Sequence, residues 1–491
     1  MKKRWIAWLL PAIMAFGACF GTACGGSGED NNIIGGDDGY DESEQNAYYS
    51  SFNVEDYSVK GDVTVTAQMC GVGKEWLEEL ASNYKKITGI NVTIKESQDA
   101  TQELTTKLSI GAGLSDLYFD WSSTSEMSSW ANSGYLMDLS DLNDKVAEYR
   151  NDELKPMGMY KDKTYTMPFA YNPVGFVYNQ DYLNQINSYE EYTKGQWPST
   201  WQGLLDLCTA TRNSNLKAGT TKVMPMVFGG TVKYTTYIFN GMWKSEDPEG
   251  FSAYWNYNDK TKFDKTLLNN DSTVEVMQAI RDLLDPQLQA GEKGYYPANA
   301  VTGSTGLNHT KSQTMFLNGA AVFCISGAWF QNEMSEVIDE YSSYHFGAVP
   351  VLTSGKKQSA FINVPGEHFT VPASAKNAEG GKQFLKFILQ PQNIERIVNT
   401  VQIPLAYKYD TSNVKLGTWG KEVHDALENT ESAITFTDSD IMHSGALTIF
   451  GADDPIVAMS TKGISAEEAL TKEADFRDKN FSYYLNLLPK E

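Results

Sequence analysis

The chain holds 491 residues with a formal net charge of −22, from 62 acidic and 40 basic side chains. That length exceeds what one core organises, so two large domains are expected, and the charge argues against nucleic acid or an anionic membrane surface as a partner. Five histidines without metal-ligand spacing, and Cys70, Cys208 and Cys324 far apart with no CxxC pair, lead us to expect neither a transition-metal site nor a disulfide framework.

At the start, Lys2, Lys3 and Arg4 precede an apolar run from Trp5 to Phe20 and the small residues Gly21, Thr22 and Ala23. This is the layout of a secretory signal peptide, residues 1–23. Cys24 follows directly, and the whole resembles a bacterial lipoprotein signal, although Gly21 stands where such signals usually have Leu. Cys24 is therefore the expected lipid anchor, since two or more acyl chains hold a protein stably on a bilayer. Cys19 is the poorer alternative, and an ordinary secretory signal the plainer one. From Gly25 to Ser58 there are nine acidic residues and no basic ones. Such a stretch buries too little apolar surface to order itself, so residues 24–58 are expected to be a lipidated Cys and a flexible tether spanning roughly 30 Å, with structure beginning near Val59.

There the pattern changes. Val63, Val65 and Ala67 alternate as in a strand. Trp76, Leu77, Leu80, Tyr84 and Ile87 share one helical face, with Gly89 as the stop. Ile90, Val92 and Ile94 alternate again, Leu104, Leu108 and Ile110 repeat at helical spacing, and Leu117-Tyr118-Phe119 reads as a buried strand. Strand and helix in this alternation imply a parallel α/β sheet. Ligands sit beyond the carboxyl ends of such strands, where Gln68 and Asp120-Trp121 fall. Neither GxGxxG nor GxxxxGK[ST] occurs, so no nucleotide cofactor is expected.

Further motifs follow in order: Gly113-Leu114-Ser115-Asp116-Leu117, Gly134-Tyr135-Leu136-Met137-Asp138-Leu139, Tyr165-Thr166-Met167-Pro168 with Gly175-Phe176-Val177-Tyr178-Asn179, Pro198-Ser199-Thr200-Trp201, Phe316-Leu317-Asn318-Gly319-Ala320-Ala321 with Gly327-Ala328-Trp329, and Pro372-Ala373-Ser374 leading to Phe384-Leu385-Lys386-Phe387-Ile388. Together, from about Asp62 to Leu389, they resemble the extracellular solute-binding proteins of bacterial ABC importers, in the branch that includes maltose-binding protein. The resemblance implies a two-lobe α/β fold of the periplasmic-binding-protein kind, with a hinge and an interlobe cleft. By analogy lobe 1 takes 59–172 plus about 345–400, and lobe 2 about 173–344 plus 401–491. Hinge closure would capture a mono- or oligosaccharide for delivery to a membrane permease. The protein would be a monomer without catalytic activity, held on the extracellular face of a one-membrane bacterium by its lipid alone.

Sugars present weakly apolar faces to aromatic rings and hydroxyls to polar side chains, whose pairing discriminates between ligands. Trp329, expected at a helix N-terminus at the mouth of a sheet, is the first candidate, and a tryptophan there often stacks on sugar in this family. Asp120, Trp121 and Gln68 follow at strand ends, Asp120 being equally suited to cap a helix. Tyr171 and Asn172 lie at the presumed hinge, Trp243 in the aromatic-rich stretch Tyr237 to Tyr257, and Glu367 and His368 after Pro365-Gly366. Each has a plainer reading as core or turn. A polyamine ligand also fits the acidity and the aromatics. A secreted carbohydrate-active enzyme is the rival class, for which two carboxylates about 5–10 Å apart would be needed.

Overall fold

Two mixed β-sheets organise the chain in the computed structural model, which describes residues 40–68, 71–154, 156–229, 234–288, 307–339, 342–363, 366–435, 439–445, 447, 459 and 463–486. In spatial order the first sheet contains the strands Val92–Ser97, Val63–Gln68, Leu117–Asp120, His368–Thr370 and Thr166–Pro168. The first three run parallel, while His368–Thr370 is antiparallel to both of its neighbours, with His368 opposite Asp120 on one side and Pro168 on the other. The second sheet orders Met224–Val227, Ala321–Gly327, Pro173–Tyr178, Ser359–Ile362 and Glu431–Ala433, with His345–Gly347 also paired to Pro173–Tyr178.

Local sequence explains the elements of the first lobe. The helix Glu75–Thr88 buries Trp76, Leu77, Leu80 and Tyr84, and ends at Gly89, whose φ of 75° is the left-handed conformation that glycine adopts without strain. The strand Leu117–Asp120 is buried along its whole length, as a central strand covered on both faces should be. Phe119, Phe169 and Phe369 close around Trp76, which stacks on Phe169 at 4.6 Å.

The lobes are joined where three segments run side by side. Phe169 N–H donates to the Glu367 carbonyl at 3.0 Å, Asn363 N–H to the Asn172 carbonyl at 3.0 Å, and Tyr171 N–H to the Pro404 carbonyl at 2.9 Å. A separate contact between the lobes links Ser128 Oγ to His443 Nδ1 at 2.7 Å.

Two expectations need correction. His345–Gly347 and Ser359–Ile362 were expected in the first lobe, yet they pair in the second sheet, and the chain rejoins the first only at His368. Short apolar strands carry no local mark of which sheet they join. Residues 40–58, expected to be tether, are ordered: Asp41 and Glu44 form a reciprocal capping box on the helix Glu42–Ser50, and Val54–Tyr57 is a 3-10 turn. Tyr48, Phe52 and Tyr57 are buried in the first lobe's core. Arg396 holds the strap from below, its guanidinium 3.9 Å from the ring centres of both Tyr40 and Tyr48. Cys24 lies outside the described residues.

Candidate functional site

The seam between the lobes gathers side chains from the C-terminal ends of strands in both sheets. Trp329 follows the strand Ala321–Gly327 and stands at the N-cap of the short helix Phe330–Glu333. Only 6% exposed, it meets Tyr234 edge to face at 5.7 Å. Tyr234 and Tyr237 open the helix Tyr234–Glu246 and stack on each other at 5.6 Å, and Tyr237 lies flat on Phe361 at 4.5 Å. The result is a continuous aromatic wall on the second lobe, with both tyrosines half-buried.

The first lobe faces it with Gly71, Trp121, Asn172 and Glu367. A Cβ added to Gly71 would lie 3.0 Å from Trp329 Cβ and 3.2 Å from Glu333 Cβ, so glycine is what allows the lobes this approach. Burial raises the Glu367 carboxyl above its ordinary pKa, partly offset by hydrogen bonds from its own backbone amide and the Trp121 side chain and by the nearby His368 charge, and the Glu333 charge across the seam raises it further. Asn172 Nδ2 donates to Glu367 Oε2 at 3.5 Å. On the facing lobe, Glu333 Oε1 pairs with His309 Nε2 at 3.0 Å, a bond that raises the imidazole pKa. Behind Glu367, His368 Nε2 meets Ser122 Oγ at 2.7 Å and Asp120 Oδ1 at 3.2 Å, all buried. Burial opposes both charges of this pair, yet their attraction prevails: Asp120 is held below its ordinary pKa and His368 above. Asp120 Oδ2, Asn172 Oδ1 and Glu333 Oε2 are buried without a partner among the described residues.

Of the nine candidates from sequence, the structure brings Trp329, Trp121, Asn172, Glu367, Asp120 and His368 to this seam. Three stand elsewhere. Gln68 spends its amide inside the first lobe, donating to the Gln98 carbonyl at 2.9 Å and accepting from Ala100 N–H at 2.8 Å. Tyr171 is a hinge tie, its hydroxyl bonded to Glu153 and, at 2.6 Å, to Ser432 Oγ. Trp243 is core, 1% exposed among Phe239, Phe251 and Tyr254. Tyr234, Tyr237, His309 and Glu333 were missed. Surface concavities of about 460 Å³, around Tyr189 and Asn213, and about 590 Å³, around Trp201 and Asp271, lie on the second lobe and hold none of these residues. We place the site at the seam because aromatic faces and unpaired polar atoms converge there and not in those grooves.

Among the described residues, no group of three or more His, Cys, Asp or Glu is arranged to hold a metal, and no helix is long and apolar enough to cross a membrane.

Comparison with known proteins bears on the family and the fold. A family model described as bacterial extracellular solute-binding protein matches residues 79–414. Over 335 residues the chain is 23% identical to the diacetylchitobiose binding protein NgcE of Streptomyces coelicolor, covering 66% of this chain and 64% of that protein, so it spans less than two thirds of that relative's length. Among solved structures it is similar to one named chitin oligosaccharide binding protein, with a TM-score of 0.62 at 15% identity, over 85% of this chain and 99% of the other. The two-lobe α/β fold expected from the sequence is the fold of that neighbour.

Proposed function

The chain belongs to the bacterial extracellular solute-binding proteins, and from that premise we propose that it captures a mono- or oligosaccharide between its lobes and delivers it to the permease of an ABC importer. One observation carries the reading: an aromatic wall of Trp329, Tyr234 and Tyr237 faces polar groups of the opposite lobe across a hinged seam. Rings accept the C–H faces of a sugar, and Asn172, Glu333 and Glu367 offer acceptors to its hydroxyls. The saccharide ligands named for the relative and the structural neighbour support the same class. Closure would shut out water and align both sets of groups. The protein binds and releases without bond-making chemistry. Cys24 would carry the lipid that keeps it, as a monomer, on the outer face of the cell membrane.

A thermal-shift screen against mono- and oligosaccharides, with polyamines as controls, tests this reading. A ligand that binds only the native state adds about 2.7 kcal/mol at a hundredfold excess over Kd. A rise with one saccharide class supports the proposal; a rise with polyamines alone refutes it.

A further inference from the structure

If the seam takes a carbohydrate, its charges specify which kind. Three carboxylates reach it or stand directly behind it: Asp120 and Glu367 from the first lobe and Glu333 from the second. Two histidines oppose them, His368 at 3.2 Å from Asp120 and His309 at 3.0 Å from Glu333. Glu367 shares only the field of His368, whose ring is already bonded to Asp120 and Ser122. It is 6% exposed, its hydrogen-bond donors are neutral, and the charge facing it from the other lobe is another carboxylate, Glu333. No Lys or Arg pairs with any of the three among the described residues.

A buried carboxylate is tolerated when it meets a cation or takes up a proton. The surroundings of Glu367 favour a cation. Asn172 is fully buried, its Nδ2 donates to Glu367 Oε2 at 3.5 Å, and the Oδ1 of the same amide has no partner among the described residues. Glu333 Oε2 is a second partnerless acceptor from the opposite lobe. The walls are the rings of Tyr234, Tyr237, Trp329 and Trp121, and aromatic faces attract cations. A hydroxyl brings one donor and no charge. An ammonium brings three donors and a full positive charge, so it satisfies several of these acceptors and compensates Glu367 together.

We propose that the ligand is an amino sugar whose free, protonated amine sits against Glu367, with Asn172 Oδ1 and Glu333 as its further acceptors. This rests on the carbohydrate reading above and narrows it to saccharides bearing an unacylated amine.

The test is calorimetric titration of the full-length protein at neutral pH with glucosamine oligomers, their N-acetylated counterparts of equal length, and glucose oligomers. The amine-bearing series is expected to bind at least about tenfold more tightly than either neutral series, as loss of a desolvated charge pair implies. In Glu367→Gln that preference collapses, the amine-bearing series losing at least about tenfold more affinity than either neutral series. The wild-type comparison needs no variant, so it stands even if Glu367→Gln does not fold. N-acetylated or glucose oligomers that bind as tightly as the amine-bearing ones overturn the inference and leave the carbohydrate function intact. Spermidine binding with no saccharide binding at all overturns both.

Discussion

Phe52→Ala tests whether the strap before the first strand belongs to the fold. Phe52 is 8% exposed. Its ring centre lies 5.0 Å from that of Phe387 and 5.1 Å from that of Tyr48. A buried Phe→Ala change typically costs about 3–5 kcal/mol, but a strap has a way out that a core does not. It can release as a unit, so the loss cannot exceed its own docking free energy, whatever the substitution removes. Phe387→Ala has no such ceiling, because Phe387 also packs on Tyr57, Tyr84 and Phe384. The expected order is therefore a loss of about 3–5 kcal/mol for Phe387→Ala and a smaller one for Phe52→Ala, with the double variant less than additive because the two rings touch. Thermal melts give the order, and limited proteolysis supplies the specific sign: cleavage within 40–58 should accelerate in Phe52→Ala while the lobes stay resistant. Undiminished protection of that segment in Phe52→Ala would refute a docked strap.

The two tryptophans should behave oppositely. Trp243→Ala is expected to cost about 3–5 kcal/mol of stability by emptying a core site while leaving Kd near wild type, whereas Trp329→Ala should weaken saccharide binding about tenfold or more, as hot-spot aromatics do; melts and calorimetry separate them, and equal affinities would remove Trp329 from the site. Gly71→Ala places a methyl 3.0 Å from Trp329 Cβ, so it should hold the lobes apart, lowering affinity with little loss of stability; an unchanged radius of gyration by X-ray scattering would sink that idea. The Asp120–His368 pair predicts a pH profile. Because Asp120 is held below its ordinary 3.8, its contribution is present above 3.8 and lost as pH falls through the lowered value. Because His368 is raised above 6.5, its contribution is complete below 6.5 and lost as pH rises through the raised value. Urea midpoints should therefore decline as pH rises above 6.5 in wild type, and that decline should vanish in His368→Gln; a flat wild-type profile above 6.5 contradicts the pairing.

What could be read from the residues depended on the range of the interactions involved. The helix Glu75–Thr88 and the strands on either side of it were legible because their burial follows a local period. Trp243 was misplaced because composition was read without helical phase. At 100° per residue it falls about 180° from Tyr234 around the helix, so once Tyr234 faces the seam Trp243 must face the core. That phase was available in the sequence and would have exchanged the wrong aromatic for the right one. The strap was hidden differently. Nine acidic residues dominate any average over Gly25 to Ser58, five of them in the strap, yet Tyr40, Tyr48, Phe52 and Tyr57 stand there too, and their partners Arg396 and Phe387 lie in the C-terminal part of the chain. Gln68 was suspected for its place at a strand end. That place is shared by ligand contacts and by side chains that satisfy the backbone of the next helix, and only the bonds to Gln98 and Ala100 separate the two. Glu367 and Asn172 could be found because they lie where the chain crosses between lobes, which a motif marks. Glu333 carries no such mark: it sits one turn beyond Trp329 on a short helix and becomes a seam residue only when Gly71 lets the other lobe come within contact. The positions that choose the ligand's charge are therefore less legible than those that choose its class, since they acquire their meaning from the opposite lobe.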